Sequence, residues 1–160
     1  MRPCWDDFPK HCPYPEGIHV GWRALLGKPV TFAFGHGLSY TTFAYAWAAP
    51  PRRGGGGGAV AELSVALTNV GNATGAEVVQ LYVAFPASAG EPERVLRGAQ
   101  KTAPLSPGGT ATLTFALRPQ DLSVWSSTAG NWVRVLGRFT ALVGGSSRAT
   151  PLRHDFHVVS

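Results

Sequence analysis

The organisation of this chain is decided by residues 32–43, which read FAFGHGLSYTTF. Gly35 and Gly37 flank His36, and glycines let a backbone take positive φ angles and approach neighbouring groups closely. We therefore predict a tight turn, braced by a hydrogen bond from His36, in which Gly37→Val would cost about 1 to 3 kcal/mol. Residues 42–47 then alternate small and aromatic side chains, a pattern that predicts a strand following the turn.

Alternating apolar residues predict strands along most of the remaining chain. The alternation is clear at 60–70, 77–85 and 110–117, and shorter runs follow up to residue 158. On 77–85, Gln80 and Tyr82 fall on the face opposite the apolar one, where we expect them to meet a neighbouring domain. About seven short strands separated by turn residues predict an all-β, immunoglobulin-like β-sandwich. Residues 121–125 are predicted to form a corner or short turn.

Composition limits the classes of function. The net charge is +5, but the 14 Lys and Arg residues are scattered, so nucleic-acid binding is not expected. No apolar run is long enough to cross a membrane, and the first residues lack the apolar core of a secretory signal, which leaves the compartment open. Cys4 and Cys12 lack the spacing of a zinc or redox motif, and their pairing is left open.

The stretch at 32–43 closely resembles a signature of glycoside hydrolase family 3, the β-glucosidase and β-xylosidase family. In that family the signature marks the passage from an α/β sandwich domain to a C-terminal fibronectin type III-like domain. The resemblance covers about 14–158, and its further segments in order are YPEGIHVGWR at 14–23, LTNVG at 67–71, GAEVVQLYV at 75–83, LSPG at 105–108, DLSVW at 121–125 and GRFTALVG at 137–144.

The resemblance implies a module without catalytic residues of its own. In the family, the nucleophilic Asp lies in an N-terminal barrel and the acid/base Glu in the middle of the α/β sandwich domain, and neither segment has a counterpart in this sequence. We therefore expect no catalytic residue and no cofactor. Glu16, inside a matched motif, is a substrate-adjacent candidate, although a structural contact is the favoured role. His154 and His157 are three apart on a predicted strand, which argues against a metal site.

The remaining candidate residues are assigned structural or interdomain roles. Asp121 is expected to cap nearby backbone amides. For the aromatic residues Trp47, Tyr82, Trp125 and Trp132, packing is favoured over sugar stacking. The full structural or interdomain set is Gly17, Trp22, Arg23, Phe34, Gly35, His36, Gly37, Leu38, Ser39, Tyr40, Gln80, Tyr82, Asp121 and Trp125.

Two functions follow as hypotheses. In the first, the chain is a non-catalytic module of a parent glycosidase. Residues 1–40 are then an irregular remnant of the α/β sandwich domain, and residues 41–160 are a β-sandwich with a flexible glycine-rich loop at 50–58. The module's partners would be the barrel and α/β sandwich domains. The strand face opposite Val79, Leu81 and Val83, together with Phe32, Phe34 and Tyr40, is expected to form an exposed apolar patch through which the chain self-associates. The second hypothesis is an independent carbohydrate- or protein-binding β-sandwich.

Overall fold

The strands of the protein pair only in antiparallel fashion in the part of the chain that the computed structural model describes, residues 14–54 and 58–159. Within these residues the helical segments are short 3-10 turns at Gly21–Leu25, Ala87–Ala89 and Pro119–Leu122, and none is long and apolar enough to cross a membrane. The strands are β1 (Phe43–Trp47), β2 (Arg52–Arg53), β3 (Ala61–Asn69), β4 (Val78–Ala84), β5 (Val95–Lys101), β6 (Thr110–Leu117), β7 (Ser123–Ser126), β8 (Asn131–Arg134), β9 (Gly137–Gly144) and β10 (Leu152–Val158).

Two sheets form the β-sandwich that the alternation predicts. In the first sheet β3 lies between β6 on one side and β1 and β2 on the other, and the second sheet has the order β10-β9-β4-β5. The remaining strands, β7 and β8, form a separate hairpin. The predicted all-β sandwich is thus confirmed.

The core lies where the apolar alternation places it, between the two sheets. Leu63, Val65 and Leu67 of β3 are fully buried and face Val79 and Val83 of β4 across the sandwich. Full burial of a side chain of this size contributes about 1.5 to 3 kcal/mol. Other members of the same cluster are Leu81, Leu113, Phe115, Leu117, Phe139, Ala141 and Val143.

Two predictions about the loops are wrong in part. Arg52 and Arg53, expected to lie in a loop without a fixed scaffold, form β2 and pair with Glu62 and Ala61 of β3. Residues 121–125, predicted as a corner, contain the end of a 3-10 turn and most of β7. Positions 55–57 of the glycine run lie outside the described residues, as do Cys4 and Cys12.

One buried side chain ties the start of β1 to the loops around it. The Asn69 side chain accepts hydrogen bonds from the Thr41 hydroxyl at 2.6 Å and the Gly71 amide at 3.1 Å. Its amide nitrogen donates to the carbonyls of Ala73 and Leu105, each at 2.8 Å. Because Asn69 is fully buried, each of these bonds replaces one to water, and the connection into β1 is fixed.

Asp155 on β10 provides a test of how the edge of the second sheet is held. It accepts hydrogen bonds from the Thr140 hydroxyl at 2.6 Å and Arg138 at 2.5 Å, and these lower the pKa of Asp155 to about 2. A carboxyl group in the unfolded chain titrates at about 3.9. Since the pKa of Asp155 is lower in the folded chain than in the unfolded chain, its stabilisation is fully present above about pH 3.9 and is lost as the pH falls through about 2.

We therefore expect Asp155→Asn to lower the melting temperature at about pH 6, and the difference from the parent to shrink below about pH 3.9 and to disappear as the pH falls through about 2. Glu62→Gln is the control, because Glu62 is about as exposed as Asp155 but is bonded only to Arg52, at 3.5 Å, and an exposed ion pair of that kind contributes little. A melting temperature of the Asp155 variant that stays below the parent's by the same amount at every pH would contradict this reading.

Candidate interdomain surface

Gln80 connects three parts of the structure through its side-chain amide. The amide nitrogen donates to the carbonyl of Gly35 at 2.9 Å and to that of Gly145 at 2.8 Å. Its oxygen accepts from the Tyr82 hydroxyl at 2.5 Å. Gln80 is only 5% exposed, so these bonds are shielded from water and hold the glycine turn and the β9–β10 loop against β4.

The outer face of β4 is covered by the chain's own preceding segment. Trp22 stacks on Phe34 with ring centroids 4.8 Å apart, and its ring lies edge-on to Tyr82 at 5.8 Å. Tyr82 is fully buried, and this burial raises its pKa to about 12. Gln80 and Tyr82 therefore contact residues 22–35, which lie in the part of the chain assigned to the remnant of the preceding domain. The expectation that this face of β4 is exposed is wrong around these two residues, and their role towards another domain stays a prediction.

The loop between β9 and β10 fastens the same segment from its other side. The amide of Ser147 donates to the carbonyl of Phe34 at 2.8 Å. Arg148 donates to the carbonyl of Leu25 at 2.9 Å and to that of Lys28. The sequence offered no signal for these contacts, because they depend on loops that are more than a hundred residues apart along the chain.

The two glycines, Gly35 and Gly37, differ in whether their positions could accept a side chain. Gly35 has a φ of +78°, and a Cβ built on it would lie 2.0 Å from the side-chain oxygen of Gln80. Gly37 has no positive φ, and its Cβ would meet nothing within 4 Å. The prediction that Gly37 is the constrained position is therefore wrong, and Gly35 is the residue that must be a glycine.

His36 does not brace the turn with its side chain as predicted. Its ring stacks on Phe32 with centroids 5.1 Å apart, and its backbone amide donates to the carbonyl of Ala33 at 3.0 Å. The turn is closed by this backbone bond and by Gln80.

The far side of the turn presents large apolar side chains to solvent. Leu38 is 91% exposed, Tyr40 is 99% exposed and Phe32 is 65% exposed. Phe34, which is 42% exposed, joins these residues to the buried stack on Tyr82. We call Phe32, Phe34, Leu38 and Tyr40 the apolar rim. The rim is an exposed apolar patch attached to a turn whose backbone is fixed.

A cleft of about 470 Å³ lies between the turn and the second sheet. Among the described residues that line it, Glu77 is the sole carboxylate and Lys101 the sole amine. Burial raises the pKa of Glu77, and its carboxylate accepts from the Val78 amide at 2.7 Å. Retaining glycoside hydrolysis uses a pair of carboxyl groups about 5 to 5.5 Å apart, so the cleft does not provide that chemistry.

The remaining predicted site residues lie in separate places. Glu16 is exposed and takes part in a turn through its carbonyl, which accepts from the His19 amide at 2.8 Å. Gly17 has a positive φ in that turn, and Arg23 donates to the carbonyl of Ile18 at 3.4 Å. The Ser39 hydroxyl accepts from the Thr41 amide at 3.2 Å.

Asp121 lies in the 3-10 turn Pro119–Leu122, just before β7. Its carboxylate accepts a hydrogen bond from the backbone amide of Arg118 at 2.8 Å, which caps the 3-10 turn Pro119–Leu122. In the part of the chain that the structure describes, His, Cys, Asp and Glu form no group that could hold a metal ion.

Trp125 and Trp132 are placed differently from the prediction. They pair across the β7–β8 hairpin, edge to face with centroids 5.9 Å apart, and are 55% and 58% exposed. Packing in the core, one of the two packing roles favoured for them, is therefore wrong for this pair, and interdomain packing stays a prediction. Trp47, in contrast, packs against the core as expected and contacts the ring of His154.

Comparison with known proteins agrees with this architecture. Residues 77–147 match the family model described as a fibronectin type III-like domain. The chain carries a fibronectin type III-like domain. It is 37% identical over 163 residues to probable β-glucosidase D of Aspergillus flavus, covering 91% of this chain and 22% of that protein. Thermostable β-glucosidase B of Acetivibrio thermocellus is 36% identical, with 92% of this chain and 20% of that protein covered.

Solved β-glucosidase structures contain the same arrangement. β-Glucosidase D2-BGL of Chaetomella raphigera superimposes with a TM-score of 0.80 at 36% identity, covering 90% of this chain and 23% of that one. The GH3 β-glucosidase of Bifidobacterium adolescentis gives a TM-score of 0.82 at 31% identity, covering 98% and 23%. The resemblance to family 3 is confirmed, and the chain spans about a fifth of the length of these relatives.

The difference between the two glycines gives a direct test of the turn. Gly35→Ala places a side chain at a positive φ and against Gln80, so we expect it to lose about 2 kcal/mol of stability. That loss corresponds to a melting temperature roughly 6 °C lower for a chain of this size. Gly37→Ala, the matched control, should melt within about 1 °C of the parent. Equal effects of the two substitutions would refute this account of the turn.

Proposed function

We propose that this chain is the non-catalytic fibronectin type III-like module of a family 3 glycoside hydrolase, and that it supports the catalytic domains through the apolar rim. The observation that carries the proposal is the exposure of Leu38 and Tyr40, 91% and 99%, on the short connection between the turn held by Gln80 and Thr41, which is bonded to Asn69. A rigid turn loses little conformational freedom when its side chains are covered, so the apolar area contributes to association with little opposing entropy.

The partners of the rim, in this proposal, are the barrel and α/β sandwich domains of the parent enzyme. The β-glucosidases that resemble this chain are about five times its length, which leaves room for such domains. Burying a side chain such as Leu38 contributes about 1.5 to 3 kcal/mol, so the rim alone could stabilise a domain contact by several kcal/mol. A chain whose rim is uncovered is expected to self-associate through the same residues.

The division into 1–40 and 41–160 stays a prediction. In its favour, β1 begins at Phe43 and the buried Thr41 is already bonded to Asn69 of the sandwich. The segment before residue 40 also contributes packing to the sandwich, through Trp22 and Phe34. We propose that this segment folds with the module, whatever its role in a parent enzyme.

The second candidate, an independent binding module, is favoured by one specific observation. The exposed Trp125 and Trp132 lie on the β7–β8 hairpin, which is not part of the apolar rim. The two functions use different surfaces of the same sandwich and are compatible.

The proposal is tested by exchanging modules. This chain would replace the matching segment of the Chaetomella raphigera β-glucosidase, once with its own sequence and once with Leu38→Ser and Tyr40→Ser. We expect the first chimera to hydrolyse an aryl β-glucoside and the second to melt several degrees lower, because the rim is then polar where it should be buried. The purified chain alone should hydrolyse neither aryl β-glucosides nor β-xylosides above a buffer blank.

Leu136→Ser is the matched control in the chimera, since Leu136 is 51% exposed and lies just after β8, outside the rim. In the isolated chain, the rim variant should leave the melting temperature almost unchanged, because Leu38 and Tyr40 are 91% and 99% exposed, and any loss caused by Leu136→Ser there is subtracted from its effect in the chimera. If the rim substitutions do not lower the chimera's stability more than Leu136→Ser does, the rim is not the supporting surface.

A further inference from the structure

The β7–β8 hairpin brings exposed aromatic and basic side chains together. Trp132 and Arg134 are two residues apart on β8, so they project from the same face of the hairpin. Trp125 lies directly across from Trp132, with the two rings edge to face at an interplanar angle of 76°. Each indole is more than half exposed, at 55% and 58%, so this arrangement leaves ring surface in contact with solvent.

Arg134 also lines a cleft whose charged groups are all basic. The cleft has a volume of about 320 Å³, and Arg53 and His157 line it together with Arg134. None of its described lining residues is acidic. A concave site bordered by two guanidinium groups and an imidazole attracts anions, and guanidinium groups bind carboxylates in a bidentate manner.

A second cleft continues the first along β10. It has a volume of about 350 Å³ and shares Arg53 and His157 with its neighbour, adding Arg52 and His154. Its carboxylate, Asp155, is already bonded to Thr140 and Arg138 of the neighbouring strand β9. Arg52 is bonded to Glu62, and Arg53, which lines both clefts, connects them.

From these observations we propose that the β7–β8 hairpin and the adjoining basic cleft bind an acidic oligosaccharide, a glycan whose sugars carry carboxylate groups. One pyranose ring stacks on the indole pair, because the C–H face of a sugar suits an aromatic face. The carboxylate of a neighbouring sugar pairs with Arg134 and Arg53. The choice of a glycan rests in part on the proposed function, since the proteins that resemble this chain act on glucosides.

The geometry of the indole pair favours a glycan over a single-stranded nucleic acid. Proteins that bind single strands stack successive bases on separate aromatic rings along a basic groove. Here the rings are nearly perpendicular, at 76°, so they cannot both lie flat beneath neighbouring bases. They provide one stacking position next to several cationic groups.

The test measures binding by the full chain with isothermal titration calorimetry. Galacturonic acid oligomers are the acidic probe, cello-oligosaccharides of equal length the neutral one, and an oligo-dT strand the nucleic acid. We expect the acidic oligomers to bind, with affinity falling as salt is raised. Arg134→Gln and Trp132→Ala should each weaken binding about tenfold, as removal of a central contact does.

Lys101→Gln is the matched control for charge, because Lys101 is an exposed cation that lines the separate cleft beside the glycine turn. It should leave the affinity unchanged. Trp132→Leu keeps an apolar side chain while removing the ring, so it separates stacking from any effect of Trp132→Ala on folding, which the melting temperature reports.

Several results would overturn the proposal. These are equal affinity for the neutral and acidic oligomers, tighter binding of oligo-dT, no binding of the acidic probe, or equal weakening by Lys101→Gln and Arg134→Gln. The assay uses no catalytic domain, so a failure here leaves the chimera experiment untouched, and a failure of the chimera leaves this result untouched.

Discussion

The buried side-chain amide of Gln80 is the interaction on which the arrangement of this module depends. It donates hydrogen bonds to the carbonyls of Gly35 and Gly145 and accepts one from the Tyr82 hydroxyl, all in a region shielded from water. A buried polar group that loses its partner costs about 1 to 3 kcal/mol, and here one substitution would orphan several groups at once. The network therefore specifies a single position for the glycine turn.

Fixing the turn determines which surfaces of the second sheet are available. Its inner face packs against β3 and β6, and the part of its outer face around Tyr82 is covered by Trp22 and Phe34. The exposed apolar side chains are consequently those of the rim, such as Leu38 and Tyr40, and not those around Tyr82 on the sheet. A neighbouring domain in a parent enzyme would meet a short, rigid turn and not a broad sheet face.

The sequence predicted the sandwich well because burial of a strand leaves a period of two in the residues. Leu63, Val65 and Leu67 show this period clearly, and each is fully buried. Family motifs predicted the place of the turn. They could not distinguish Gly35 from Gly37, because the distinction depends on a glutamine 45 residues away in the chain.

The other errors also come from contacts between distant positions. Nothing near Arg148 in the sequence indicates that it bonds to the carbonyls of Leu25 and Lys28. Alternation places Tyr82 on the outer face of β4 but does not show that Trp22 covers it, so the predicted exposure of that face was wrong. Trp125 is exposed on the β7–β8 hairpin, which forms a sheet separate from the two main ones, and no local sequence pattern predicts that arrangement.

The central claim is that Gln80 makes the segment 22–36 part of the same cooperative unit as the sandwich. Native-state hydrogen exchange tests it most directly, because the Ser147 amide is bonded to the carbonyl of Phe34 and reports the segment's detachment. In the parent chain, we expect the opening free energy of the Ser147 amide to lie within about 1 kcal/mol of that of the most protected amides in β4. In Gln80→Leu, we expect the opening free energy of Ser147 to fall below that of the β4 amides. A Ser147 amide that exchanges far faster than β4 in the parent chain, or one that keeps its protection in Gln80→Leu, would contradict it.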